Sequence, residues 1–338
     1  GSWAFRALDA SPVAGKIFKI TTRNGDSINF FNDEVGLLTT IEDTLYNAEN
    51  PRTTSIAYTP AGQVASVTDF AGNVTGYAYY DGIEPGGNAG DLKSVTGPAV
   101  VGTPNGNDFP LGKTTVYTYT TGFADPRLNG DLLTIRDAKG QVYLRNEYAH
   151  TVSPADPRHT QNPANIHFDR IVRQFSPSTS ALRGGAEDVV DYFYVAQVPG
   201  PANGFATIKT IVNDAVGNVA EYSYDSQNRL VILREYTGRA NATQFTTDFL
   251  NRPTGKLRAD DPDYFETRYE YNSDSLVTRI VHPNGNEERL TYDSANHDLR
   301  ARGNMLQRCR VAGPLGGDQT QICETFEYDD GFGGCCGT

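Results

Sequence analysis

Between Tyr264 and Tyr271 polar and apolar residues alternate one for one. Phe265, Thr267, Tyr269 and Tyr271 fall on one side, and Glu266, Arg268 and Glu270 on the other. A period of two is the signature of a strand with two unlike faces. Similar runs recur along the chain, separated by Gly-Asn, Asn-Gly and Asp-Xaa-Xaa-Gly pieces. Glycine and asparagine tolerate positive φ, and Asx side chains bond the backbone two residues on, so these pieces reverse the chain tightly. The pattern predicts consecutive antiparallel hairpins. One hairpin cannot bury its aromatic face, so the hairpins are expected to join edge to edge into a sheet that does. Strand twist then predicts that the sheet curls.

The hairpins repeat. Gly72-Asn73, Gly217-Asn218 and Gly285-Asn286 each precede, by seven residues counted from the glycine, the tyrosines Tyr79, Tyr224 and Tyr292. The tyrosine or its neighbour opens a Tyr-Asp pair: Tyr80-Asp81, Tyr224-Asp225 and Tyr292-Asp293, with a further start at Tyr328-Asp329. In the carboxy-terminal third, Tyr224-Asp225, Thr247-Asp248, Tyr271-Asn272 and Tyr292-Asp293 are spaced by 23, 24 and 21 residues. Two strands of about seven residues with two short turns fill that interval, so one unit of about 21–24 residues is one hairpin. Degenerate copies lie at Arg23–Asp26 and Asp137–Gln141. The whole of 1–338 reads as one repeat domain, all-β, excised from a longer chain. Three ranges read as long loop insertions: 82–112, 149–206 and 303–322. The second holds a short strand around Val189–Val195, and its Pro and Gly pairs exclude longer regular elements.

A Gly-Asn, then about seven residues to Tyr-Asp, then Asn228-Arg229-Leu230, resembles the YD-repeat or Rhs family. The resemblance is spread over six to eight units of uneven quality. It implies a long β-sheet that spirals into a shell or arc, enclosing a polypeptide in many members and serving surface adhesion in others. It also implies an extracellular or cell-surface setting. The family's carboxy-terminal autoproteolytic segment carries an Asp-Pro-Xaa-Gly type signature. Asp125-Pro126-Arg127 and Asp260-Asp261-Pro262-Asp263 lack the following Gly, so self-cleavage is not carried over.

Composition narrows the classes. The 34 glycines and 18 prolines are about 15% of the chain, below the level of a low-complexity polymer. Nineteen tyrosines and 16 phenylalanines against one Met and one Trp favour strands. A formal charge of −12 without a basic cluster removes the attraction that drives nucleic-acid binding. Apolar runs such as Tyr192–Ala196 and Leu230–Leu233 are far shorter than the roughly 20 residues of a spanning helix.

Candidate chemistry is sparse. Cys309 and Cys323 bracket the last insertion, and a disulfide across the base of that hairpin is the first reading, free thiols the second. Cys335 and Cys336 are adjacent, unlike the spacing of a tetrahedral thiolate site. Asp260, Asp261, Asp263 and Glu266 are the candidate hard-cation ligands, set against an ordinary solvated turn. His150, His159, His167, His282 and His297 form no helical ligand pair, and no nucleophile elbow, phosphate loop or dinucleotide fingerprint is present. Asn73-Val-Thr75 and Asn241-Ala-Thr243 fit glycosylation sequons. Tyrosine rows such as Tyr222 with Tyr224 read as cross-strand packing ladders rather than sugar platforms.

The leading expectation is therefore a structural scaffold without catalysis or cofactor. Its partners would be neighbouring repeats or other copies, with an enclosed polypeptide or a surface ligand. The alternative is an adhesin-like module using loops 82–112 and 149–206 for carbohydrate or protein. A propeller-type enzyme comes third, since two units of about 21 residues make one four-stranded blade.

Overall fold

The computed structural model describes residues 1–44, 50–177, 187–239, 256, 258–299, 301–316 and 319–328. They are all-β: 21 strands and three short 3₁₀ turns. Backbone packing divides the chain into two units, Gly1–Asn146 with Ser176–Gly185, and Glu147–Phe175 with Ala186–Thr338.

The first unit is a meander in chain order. Its strands are β1 (Ser2–Phe5), β2 (Ile17–Thr21), β3 (Ser27–Asn32), β4 (Leu38–Asp43), β5 (Arg52–Tyr58), β6 (Val64–Thr68), β7 (Val74–Tyr79), β8 (Leu92–Thr96), β9 (Thr114–Tyr119), β10 (Leu132–Arg136) and the start of β11 (Val142–Tyr148). Each pairs antiparallel with the next. Strands β2, β4, β6, β8 and β9 are half-buried at every residue.

The second unit continues the pattern with β12 (Ile171–Ser176), β13 (Asp188–Ala196), β14 (Ile208–Asn213), β15 (Asn218–Tyr224), β16 (Leu230–Arg239), β17 (Tyr264–Tyr271), β18 (Val277–Val281), β19 (Glu287–Tyr292), β20 (Met305–Val311) and β21 (Gln321–Thr325). From β13 to β21 each strand again pairs with its successor. Three small apolar clusters lie here: Ala149 with Val152 and Val172, Phe193 with Ile211 and Val219, and Ala206 with Val231 and Ile232.

Two expectations change. The alternation is clean in β14 and β15, yet the covered face is not the tyrosine face. Lys209, Ile211, Asn213, Val219, Glu221 and Ser223 are buried, while Tyr222 and Tyr224 are only partly covered. Periodicity separates two faces but does not say which is packed, and here the packed charges neutralise one another. Besides the strand expected around Val189–Val195, which is β13, the ranges read as insertions contribute further strands: β8 within 82–112, β12 within 149–206 and β20 within 303–322. Each is short and flanked by Gly or Pro, so its alternation was hidden by the punctuation around it.

Candidate functional site

The repeat positions build one recurring turn. Asp69, Asp214, Asp225 and Asn272 each begin a five-residue loop whose side chain accepts the N–H groups two and four residues on. The distances are 2.9 and 2.8 Å at Asp69, 2.9 and 2.8 Å at Asp214, 2.8 and 3.0 Å at Asp225, and 3.0 and 2.9 Å at Asn272. The fourth residue is left-handed: Gly72 at φ 81°, Gly217 at 87°, Asn228 at 60° and Ser275 at 62°. This is a type I turn closed by a left-handed residue, the usual three-residue hairpin connection. Asn73 and Asn218 add a side-chain bond back to Asp69 and Asp214, at 2.9 and 2.7 Å. Gly285 and Asn286 close the equivalent turn from His282.

Six tyrosine hydroxyls share one geometry. Tyr58 donates to the Leu38 carbonyl at 2.8 Å, Tyr79 to Val64 at 2.9 Å and Tyr119 to Leu92 at 2.9 Å. In the second unit Tyr194 donates to Ile171 at 2.9 Å, Tyr271 to Leu230 at 2.7 Å and Tyr328 to Met305 at 3.2 Å. In all six the acceptor is the first residue of a preceding strand: β4, β6, β8, β12, β16 or β20. Each of these tyrosines thus ties its own strand to the exit of a preceding turn, and at Tyr271 the neighbouring Asn272 also shapes the next turn. Arg229 reinforces one such junction: it pairs with Asp225 at 2.8 Å, donates to the Asn272 carbonyl at 3.1 Å and lies over the Tyr271 ring. Tyr80 is buried and donates to the Tyr117 carbonyl at 2.8 Å, and Asp81 accepts the Ile83 N–H at 2.8 Å. Asp293 accepts from the Asn296 amide at 2.6 Å at the end of β19, next to Tyr292. Tyr271→Phe is expected to cost about 0.5–1.5 kcal/mol, measured by urea unfolding, with exchange of the β16–β17 amides faster and the first unit unchanged.

The buried charges lie mainly in the second unit. Arg158 is 2% exposed and forks onto Asp156 at 3.0 and 2.9 Å. Its third nitrogen reaches Asp191 at 2.9 Å and the Val172 carbonyl at 2.9 Å, and its plane lies over Phe193. Arg173 pairs with the same two carboxylates and with Glu147. A second group centres on Glu221, which accepts from Lys209 and from the Tyr236 hydroxyl, both at 3.2 Å. Arg234 lies directly across from Glu221 and pairs with Glu266 at 2.6 Å.

These surroundings set protonation. Burial pushes the Asp156 carboxyl up, but hydrogen bonds from Arg158 and the charges of Arg158 and Arg173 outweigh it and hold it at about 2. Burial, helped by the charges of Arg158 and Arg170, holds His167 down at about 4. Its ring packs edge-on against Tyr194. Both groups carry fewer protons folded than unfolded, so acid favours the unfolded chain. Stability is expected to be full above pH 6.5, to fall through His167 down to about 4, and to fall again between 3.8 and about 2 through Asp156. Urea midpoints across that range check this, and His167→Gln should flatten the upper limb alone.

The candidate cation ligands have other partners. Glu266 lies between Arg234 and Arg268, both at 2.6 Å, Asp263 faces Lys256 at 3.5 Å, and Asp261 accepts the Arg258 N–H at 3.0 Å. No three of Asp260, Asp261, Asp263 and Glu266 converge as a ligand set. Cys309 and Cys323 stand opposite each other in β20 and β21 and are joined by a disulfide. Asp329, Cys335, Cys336, Thr247-Asp248 and the Asn241 sequon lie outside the described residues. The tyrosine ties and the Arg158 cluster escaped sequence reading. The only local trace of the latter is Asp156-Pro157-Arg158, which repeats Asp125-Pro126-Arg127.

No helix among the described residues is long and apolar enough to cross a membrane. No protein-family model matches the sequence, and no curated protein matches it. Among solved structures, the chain is similar to a TcdB2-TccC3-Cdc42 crystal structure at 14% identity, covering 93% of this chain and 18% of that one, with a TM-score of 0.30. A Photorhabdus luminescens Tc holotoxin pore matches at 14% identity, covering 91% and 18%, with a TM-score of 0.24. A porin-like protein from Bacteroides uniformis matches at 13% identity, covering 91% and 92%, with a TM-score of 0.22. The chain thus spans about a fifth of the toxin-complex chains it matches, and at these TM-scores the architecture rests on the strand ladders themselves.

Proposed function

We propose that this chain is a non-enzymatic structural scaffold, a wall section of an exported or cell-surface assembly of the YD-repeat kind. Its partners are neighbouring repeats of the same parent chain or other copies, and the assembly encloses a polypeptide or presents a surface for a ligand. The observation that carries the reading is the six-fold tyrosine tie, which at six places along the chain makes a strand depend on the one before it. Such nearest-neighbour coupling is what a repeat wall needs and a catalytic site does not. The ionisable groups of the buried clusters are spent on one another, which favours rigidity over chemistry. The Cys309–Cys323 disulfide suits an oxidising compartment. Electron microscopy of the parent protein, combined with protease challenge, tests the proposal. A hollow or open wall that shields a polypeptide from protease is expected. A compact disc with an axial channel would point to a propeller and remove the scaffold reading.

A further inference from the structure

Between β13 and β14, the chain makes a 3₁₀ turn at Pro201–Asn203 and then places two successive residues in the left-handed region, Gly204 at φ 63° and Phe205 at φ 60°. Glycine suits its position: it lies so close to β16 that an added Cβ would stand 3.2 Å from the Cβ of Val231. Phenylalanine does not suit its own. A bulky side chain at positive φ is strained, and such strain persists only where the surroundings impose it. Here they do. The Phe205 N–H donates to Gly200 at 2.9 Å, the Ala206 N–H donates to Asn203 at 3.1 Å, and Ala206 is fully buried against Val231 and Ile232. The result is a ring left 59% exposed, bought by no burial of its own.

Phe205 stands at a cavity of about 440 Å³, within the size range of small-ligand sites. Val231 and Ile232 give it an apolar part, Tyr271 a second aromatic residue, and Ser226, Arg229 and Arg268 hydrogen-bonding groups. Arg229 pairs with Asp225 at 2.8 Å and Arg268 with Glu266 at 2.6 Å, a carboxylate it shares with Arg234, and within the lining Asp225 and Glu270 balance the two guanidiniums. An anion therefore gains no net attraction here, and neither does a cation. The lining suits a neutral ring with one apolar face and several hydroxyls. We propose that this cavity binds an uncharged saccharide, with one sugar face stacked on Phe205 and its hydroxyls bonded to Ser226 and the guanidinium edges. The proposal stands apart from the scaffold reading, since either can fail alone.

Saturation-transfer NMR on the full chain with cellobiose, maltose, lactose and chitobiose, each at roughly millimolar concentration, tests it. At least one of the four is expected to bind. Phe205→Gly should weaken that binding at least about tenfold, while Tm stays level or rises because glycine relieves the left-handed strain. Several results would overturn the proposal: no binding by any of the four, unchanged binding in Phe205→Gly, or a fall in Tm with that variant, which would assign the ring to packing. Tighter binding of glucose 6-phosphate than of glucose would overturn the neutral class.

Discussion

Arg158→Met is expected to lower the unfolding free energy of the second unit by about 3–5 kcal/mol, the cost of removing one partner from a buried ion pair. The side chain is 2% exposed and its donors are committed to Asp156, Asp191 and the Val172 carbonyl. After truncation, Asp156 and Asp191 keep only Arg173 as a cationic partner within this cluster, and that side chain is 31% exposed. Arg158→Lys should recover less than half of the loss, because an ammonium cannot fork onto one carboxylate while reaching a second. Adding Asp156→Asn and Asp191→Asn to Arg158→Met should recover about half, since neutral amides cost less to leave buried. Urea unfolding followed by tyrosine fluorescence measures all three. A loss below about 1 kcal/mol for Arg158→Met would mean that the cluster does not hold the unit together.

The second large effect is local. Cys309 and Cys323 are 14 residues apart, and closing a loop of that length stabilises by about 3 kcal/mol in the chain-entropy account. Strand β21 is exposed at all five residues, so it gains little from apolar burial and relies on its ladder and the disulfide. The double variant Cys309→Ser with Cys323→Ser should therefore lose amide protection across β20 and β21, while β13–β16 exchange at their original rates. Hydrogen exchange read by mass spectrometry distinguishes this from a global loss, which would show that the edge strand supports the rest of the unit.

Much of the fold was legible because its signals are local. An Asp or Asn followed three residues later by Gly or Asn specifies a hairpin turn through bonds that span four residues, and Asp69, Asp214 and Asp225 all obey it. Strands follow from alternation between such turns. The tyrosine ties were not legible, because donor and acceptor are 15 to 41 residues apart and the spacing changes with each intervening loop. Tyr-Asp could be seen to recur, but the hydroxyls that reach back belong mostly to other tyrosines, Tyr58, Tyr79, Tyr119, Tyr194 and Tyr271. The packed face of β14 and β15 was also hidden. Nothing local marks Lys209 and Glu221 for burial, and only when the strands are set side by side do they neutralise each other.

The tripeptide Asp-Pro-Arg shows where the division falls. At Asp125-Pro126-Arg127 and again at Asp156-Pro157-Arg158 the arginine forks back onto the aspartate two residues earlier, with Nε to Oδ1 at 3.0 Å in both. The sequence by itself determined that clip, since proline restricts the backbone and leaves the planar guanidinium within reach of both oxygens of the aspartate two residues earlier. Only the tertiary structure decided its meaning. Arg127 has a side chain 58% exposed, whereas Arg158 lies under cover at 2%, held to Asp191 from 33 residues away. In water the first pair contributes little, and out of water the second cannot be broken without leaving a buried charge uncompensated.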